Sequence, residues 1–396
     1  MNQIILGYAG VHEIFQLALA AHELGELERL WCSTMDGPKS WGRALSRVVN
    51  VPSAKPLGYQ MLPWDRVKEY PWPVVVQRLF KKLLPWRRSE HFHTNGWFDD
   101  MMARQLAKSK ASLFVGAETC AAASLKACRA TGKKSLLEVA GIPDEFLAGE
   151  AEKAASKFGM KLQNQRNSTA MSFRKEQEMA YATHILCCSD IQAKILKQKG
   201  LPEDKLTVIP LWVDHAYWSI ASTMRAVEST GPLKVLYAGA ISLRKGVPYL
   251  LEATKALGKD VALSLVGALS SEMVSSLPAE ARFRPYQSKG ELRGLYAEHD
   301  VLVMPSLGDS FGFVALEAMS SGLPVIVTDH CGVPVPDPSW RVPAHDSEAI
   351  AKRLAHYATN RTRVREDGAK AAAFAGQFTP GSYRNQVREL YRTMLA

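Results

Sequence analysis

Apolar residues in this chain come in short unbroken runs, separated by stretches with helical spacing. Runs at 3–8, 28–32, 112–116, 135–139, 184–188 and 206–210 occupy the first half. Runs at 234–237, 262–266, 301–304 and 324–328 occupy the second. Their length and mostly apolar character suit strands buried on both faces. Strands alternating with helices predict an α/β fold with a parallel sheet in each half. Residues 214–232 carry a weaker apolar pattern before a fresh strand begins at 234, so the boundary is placed there. At 396 residues the chain exceeds one core of ordinary size. The predicted division is 1–215 for a first domain and 216–380 for a second. A terminal helix follows, with Val387, Leu390, Tyr391 and Leu395 on one face. No short internal repeat or low-complexity tract interrupts this order.

The most informative stretch is 305–324, PSLGDSFGFVALEAMSSGLP, directly after the run at 301–304. The letters FGFVALEAMSS predict a helix stopped by Gly322. That helix is apolar nearly all round, yet it carries Glu317, a charge that is costly to bury without a partner. Asp309 stands eight residues earlier, just before the helix. Between them the helix start offers free N–H groups and the positive end of a dipole, which suits an anion. Glu317 should lie about 7 Å further along the axis than Gly312. Acceptor, anion cradle and second acceptor in a row match the hydroxyls, diphosphate and ribose diol of a nucleotide sugar. A satisfied core glutamate and a helix-capping aspartate would leave the same letters.

A second cluster, Tyr237-Ala-Gly239-Ala-Ile-Ser-Leu-Arg244-Lys245-Gly246, follows the first strand of the second half. Arg244 offers a fork of donors and Lys245 a point charge, both suited to phosphate oxygens. A solvated turn is the plain alternative. Near the N-terminus, Gly7-Tyr-Ala-Gly10-Val-His12 follows the first strand, but two glycines at that spacing say little alone.

The 309–325 segment resembles the signature of the retaining family 4 glycosyltransferases, also called group 1 glycosyltransferases, which have the GT-B fold. Its pattern is a carboxylate, seven residues, then a glutamate, and Asp309 and Glu317 occupy those places. Asp replaces the usual first Glu, and Ser310 a usual Gly. Segments 178–189, 208–214 and 299–306 are similar to further family motifs, with Trp212 where glycine is usual. The resemblance spans about 175–330, and the first 170 residues carry much less of it. It implies two Rossmann-like domains with parallel sheets facing across a cleft, and a terminal helix, 381–396, that crosses back to the first domain. It implies a donor site of Gly239, Arg244, Lys245, Asp309, Ser310, Phe311, Gly312 and Glu317. Asp309, Lys245 and Arg244 take the catalytic roles. Lys245 matches the family's Lys, whereas its Arg position holds Ala240, so Arg244 inherits that task. On the acceptor side the resemblance points to Gly10, His12 and Glu118, with Glu138 and Asp144 as equal alternatives to Glu118. The implied reaction moves a sugar from a nucleotide diphosphate sugar to a glycan or lipid-linked acceptor, with retention, as in cell-surface polysaccharide or glycolipid synthesis. A sugar-nucleotide-binding scaffold and a nucleotide-sugar epimerase are the competing readings.

Charge and cysteines adjust this picture. No D-x-D triplet occurs, so cations and a helix start are expected to neutralise the diphosphate, with no metal and no cofactor. The net charge of +10 is uneven, because residues 77–88 alone carry five positive charges interleaved with leucine, phenylalanine and tryptophan. A basic amphipathic stretch of this kind suggests an anionic membrane surface, and an ordinary solvated helix is the alternative. No nucleic-acid module is recognisable. Six cysteines without metal spacing read as buried thiols in a reducing compartment. The first residues have no basic lead, so a secretory leader is not expected. A cytoplasmic protein, peripheral at the inner face of a membrane, follows as the expectation.

Overall fold

The computed structural model describes residues 3–10, 14–35, 40, 61–83, 91–162, 169–224, 231–278 and 281–396. The first sheet contains β1 (Ile4–Tyr8), β2 (Leu27–Cys32), β3 (Val67–Glu69), β4 (Leu113–Ala117), β5 (Lys134–Glu138), β6 (His184–Cys187) and β7 (Leu206–Val208). The second contains β8 (Leu233–Ala238), β9 (Val261–Val266), β10 (Arg282–Arg284), β11 (Val301–Met304), β12 (Val325–Thr328) and β13 (Arg341–Val342). Every pairing is parallel. The orders are β3-β2-β1-β4-β5-β6-β7 and β10-β9-β8-β11-β12-β13. All ten anticipated strands are present. Edge strands β3, β10 and β13 were not anticipated, because each has only two or three residues and none is a uniform apolar run.

Each sheet reverses its winding once, between β1 and β4 in the first and between β8 and β11 in the second. Ligands of open α/β sheets bind in the crevice beyond the strand ends at such a point. In the second sheet that crevice lies between the loops after β8 and β11, which carry the 239–246 and 305–312 clusters.

Two helices tie the domains together. The helix Pro380–Leu395 opens with a capping box between Thr379 and Ser382 and returns to the first domain. There Tyr391 Oη donates to the carbonyl of Leu17 at 3.2 Å, and Arg384 pairs with Glu23 at 2.7 Å. Trp212, unexpected for the family pattern, packs its ring 4.6 Å from that of Tyr383 on this helix. The helix Asp144–Phe158 connects β5 to β6 of the first sheet but packs on the second domain. Its Ala154 and Ala155 share a core with Val247 and Leu250. Phe158 meets Tyr249 edge-on at 4.8 Å, and Lys157 pairs with Glu252 at 3.0 Å.

Candidate active site

The two loops at the second switch point are joined through the backbone. Gly246 holds φ at +68°, and a Cβ there would lie 1.8 Å from the carbonyl oxygen of Pro305. Only glycine permits that approach. The N–H of Leu307 donates to the carbonyl of Arg244 at 3.1 Å, which closes the joint. The β11 loop is also tied to the next one: Asp309 N–H donates to the carbonyl of His330 at 2.9 Å, and Gly332 N–H to the carbonyl of Asp309 at 2.9 Å. Gly312, at φ +89°, turns the chain into the helix Phe313–Ser320.

This joint brings Lys245 Nζ into a hydrogen-bonded ion pair with Asp309 Oδ2. Both side chains are largely buried. The pair lines a cavity of about 170 Å³, together with Gly239, Ser310, Phe311, Gly312, Phe313 and Val314. The first domain contributes Glu138, Val139, Ala140, Cys188 and Leu211 to the same walls. A larger cleft of about 760 Å³ meets this cavity at Lys245, Asp309 and Ser310 and includes Arg244, Ser242 and Asp144. The domains touch directly at the signature loop: the Ser189 hydroxyl donates to the carbonyl of Ser310 at 2.5 Å.

Most of the predicted donor residues therefore meet at one place. Gly239, Lys245, Asp309, Ser310, Phe311 and Gly312 share the smaller cavity, and Arg244 lies in the adjoining cleft. Glu317 stands apart. It sits about a turn beyond Phe313 and Val314 and is not among the residues lining either cavity. Tyr296 Oη donates to its Oε2 at 3.4 Å. Burial pushes its carboxyl up to about 7, against the opposing pull of Lys289 and Tyr296.

On the first-domain side, Glu118 is buried beside Lys175 and Asp144, with Lys175 Nζ 3.8 Å from its Oε2. Burial raises its carboxyl above the usual range, with Lys175 opposing. It lines a small cavity that meets the larger cleft at Gly141, Asp144 and Lys175. Of the three carboxylates considered for the acceptor side, Glu138 lines the smaller cavity beside Lys245 and Asp309, and Asp144 the adjoining cleft. Gly10 follows β1 two residues on, against the ring of Tyr8, and is not among the residues lining these cavities. His12 lies outside the described residues.

A buried charge network fixes the loop after β4. Arg174 lies 2.5 Å from Asp99 and 3.3 Å from Glu178. Glu178 accepts from the N–H groups of Thr119 and Ala121 at 2.6 and 2.8 Å. Asp99 accepts from those of Ala123 and Ser124 at 2.8 and 2.9 Å. Thr119, held at φ +74°, is the strained residue of this loop. All six cysteines are buried free thiols.

The basic stretch 77–88 begins on the helix Trp72–Leu83, where Trp72 and Leu79 are exposed. Residues 84–88 lie outside the described part, Trp86, Arg87 and Arg88 among them. No helix among the described residues is long and apolar enough to cross a membrane.

Two doubly wound parallel sheets, with a cavity at the second switch point lined by residues of both domains, define a molecule of the GT-B class. Comparison with known proteins narrows the class. Residues 232–360 match the family of glycosyl transferases group 1. The chain is 30% identical over 200 residues to WcaL of Salmonella typhimurium, named as a glycosyltransferase of colanic acid biosynthesis, covering 44% of this chain and 47% of that protein. It is also 30% identical over 213 residues to a D-inositol 3-phosphate glycosyltransferase of Streptomyces griseus, covering 50% and 41%. It thus spans less than half the length of these curated relatives. The fold matches Anabaena HepE, solved in complex with UDP, with a TM-score of 0.62 at 15% identity over 99% of this chain and 100% of that one. It also matches WaaG, a glycosyltransferase involved in lipopolysaccharide biosynthesis, with a TM-score of 0.59 at 15% identity over 98% and 99%. The second domain thus carries the match to the group 1 glycosyl transferases, and the whole chain shares the fold of the solved glycosyltransferases.

Proposed function

We propose that the chain transfers a sugar from a nucleotide diphosphate sugar to a glycan or lipid-linked acceptor, with retention at the anomeric carbon. The observation that carries this reading is the Lys245–Asp309 pair, set where the β8 and β11 loops join and facing first-domain residues across the cavity. On donor binding, Lys245 exchanges Asp309 for the diphosphate, and Asp309 turns to the sugar hydroxyls. Negative charge then builds on the leaving diphosphate as the glycosidic bond breaks. Lys245, Arg244 and the first N–H groups of the helix Phe313–Ser320 stabilise that charge in the transition state. The acceptor hydroxyl releases its proton to the departing phosphate oxygen, so no side-chain base is required. Glu317, about a turn beyond the cavity-lining Phe313 and Val314, holds the ribose diol. Glu138 stands nearest the acceptor.

The same reading puts the protein in the cytoplasm, at an anionic membrane face reached through residues 77–88. Its polysaccharide or glycolipid setting is supported by the names of the relatives. The test is a thermal-shift panel of UDP, GDP and ADP sugars, followed by product analysis at the anomeric carbon with the stabilising donor. Stabilisation by one donor and a product of unchanged anomeric configuration are expected. An inverted product removes retention, a C2-epimerised nucleotide sugar favours the epimerase, and binding without any turnover favours a scaffold. Co-sedimentation with anionic vesicles at low salt, lost when the five cations of 77–88 become glutamine, tests the membrane contact.

A further inference from the structure

Outside the donor groove, three potential ligands from three separate segments converge. Glu150 comes from the helix Asp144–Phe158, His330 from the loop after β12 and His345 from the loop after β13. Glu150 Oε2 lies 2.6 Å from His345 Nε2 and 3.3 Å from His330 Nδ1. One ligand atom from each residue lies within 4.8 Å of the others. A zinc ion with bonds of about 2.0–2.2 Å holds tetrahedral ligands about 3.3 Å apart, so Glu150 Oε2 and His345 Nε2 would part slightly and His330 Nδ1 would give up its 3.2 Å contact with the carbonyl of Leu307.

Two further observations go beyond proximity. The hydroxyl of Tyr249 lies 2.8 Å from His345 Nδ1, so the ring is fixed from behind with Nε2 on the Glu150 side. Ligating histidines are commonly oriented in this way by a hydrogen bond to their other nitrogen. The other carboxylate oxygen of Glu150 accepts from Lys153 at 2.6 Å, and Lys153 is exposed enough to turn to solvent when a cation enters.

We propose that Glu150, His330 and His345 bind a divalent transition-metal ion of the zinc type, with water completing the shell. Two imidazoles and one carboxylate are a ligand set suited to such an ion. The site would clamp the first domain's helix Asp144–Phe158 to two loops of the second domain. The carbonyl of His330 accepts from Asp309 N–H, so the clamp adjoins the signature loop without entering the donor cavity. Its role is structural, because coordination is released only when helix and loops separate.

The test uses the full chain without a histidine tag, stripped with chelator and reloaded with zinc or cobalt. One equivalent retained through gel filtration, visible cobalt absorption of nitrogen–oxygen coordination and a raised melting temperature are expected. Tyr249→Phe should weaken binding about tenfold, as loss of an outer partner typically does. His330→Gln and His345→Gly should abolish uptake. His345→Gly suits the existing backbone, at φ +66°, and guards against a variant that simply fails to fold. No uptake by the wild-type chain, or equal uptake in the two histidine variants, overturns the proposal and leaves a hydrogen-bonded ion pair. None of these readouts depends on sugar transfer.

Discussion

The loops at the two switch points are held by opposite means. In the second domain, the β8 and β11 loops are joined by backbone contacts, with Gly246 seated against Pro305 and Leu307 N–H bonded to Arg244. In the first domain, the loop after β4 hangs on buried charge, with Glu178 and Asp99 gripping its N–H groups and Arg174 between them. A backbone joint leaves side chains free to meet a ligand. A charge network consumes the side chains it uses. The Lys245–Asp309 pair therefore lines a cavity in the second domain, while the strongest charges near the first switch point are committed to structure.

The largest effect should come from the charge network. Arg174→Met leaves Asp99 and Glu178 buried without their cation, and losing one partner of a buried pair costs about 3–5 kcal/mol. Urea unfolding should show that loss, and pairing the change with Asp99→Asn should recover part of it. A loss below about 1 kcal/mol would mean that the N–H groups alone hold the loop.

Next comes the donor side, where the cost should appear in turnover. Lys245→Ala should lower kcat by about 10²–10³, the usual effect of losing one donor to developing charge. It also strands Asp309, so Lys245→Ala with Asp309→Asn should regain stability without regaining turnover. Parallel recovery of both would make the pair a structural device. Gly246→Ala probes the joint itself. A Cβ against the Pro305 carbonyl at positive φ should cost about 2–3 kcal/mol, and an unchanged melting curve would show that the joint can shift.

The smallest effect is a pH dependence at Glu317. Its folded value of about 7 exceeds the ordinary 4.5, so the folded chain keeps a proton that the unfolded chain releases. Its contribution to stability therefore falls as pH rises from about 4.5 through about 7. With the proposed ribose contact made by the Glu317 carboxylate, donor binding should strengthen up to about tenfold between pH 6 and 8. Calorimetry on wild type and Glu317→Gln checks this, and an equal pH slope in both would remove Glu317 from the ribose contact.

How much could be read from the letters follows the same division. Strands buried on both faces announce themselves as unbroken apolar runs, which is why β1, β4, β8 and β11 were legible. Edge strand β10 is exposed throughout and left no such mark. The signature loop was legible because Asp309, Gly312 and Glu317 are neighbours in sequence. The Lys245–Asp309 pairing was not, since 64 positions separate the partners. Arg174 and Asp99 lie 75 positions apart, and no local pattern marks them. Glu118 and Glu138 look alike as letters. The end of β5 puts Glu138 on the donor cavity, while Glu118 turns to Lys175.

The return of the helix Pro380–Leu395 to the first domain has a consequence for synthesis. Val387 and Tyr391 complete a core begun by Leu17 and Ile4. The domain made first therefore cannot finish folding until the far end of the second has left the ribosome. At about 5–20 residues per second, the stretch from β7 to Leu395 keeps that core open for roughly 10–40 s. Meanwhile the second domain, whose described strands lie between Leu233 and Val342, can close, because the helix Asp144–Phe158 that shares its core has already been made. The nascent chain should thus hold a donor-side domain before it holds the partner that faces it.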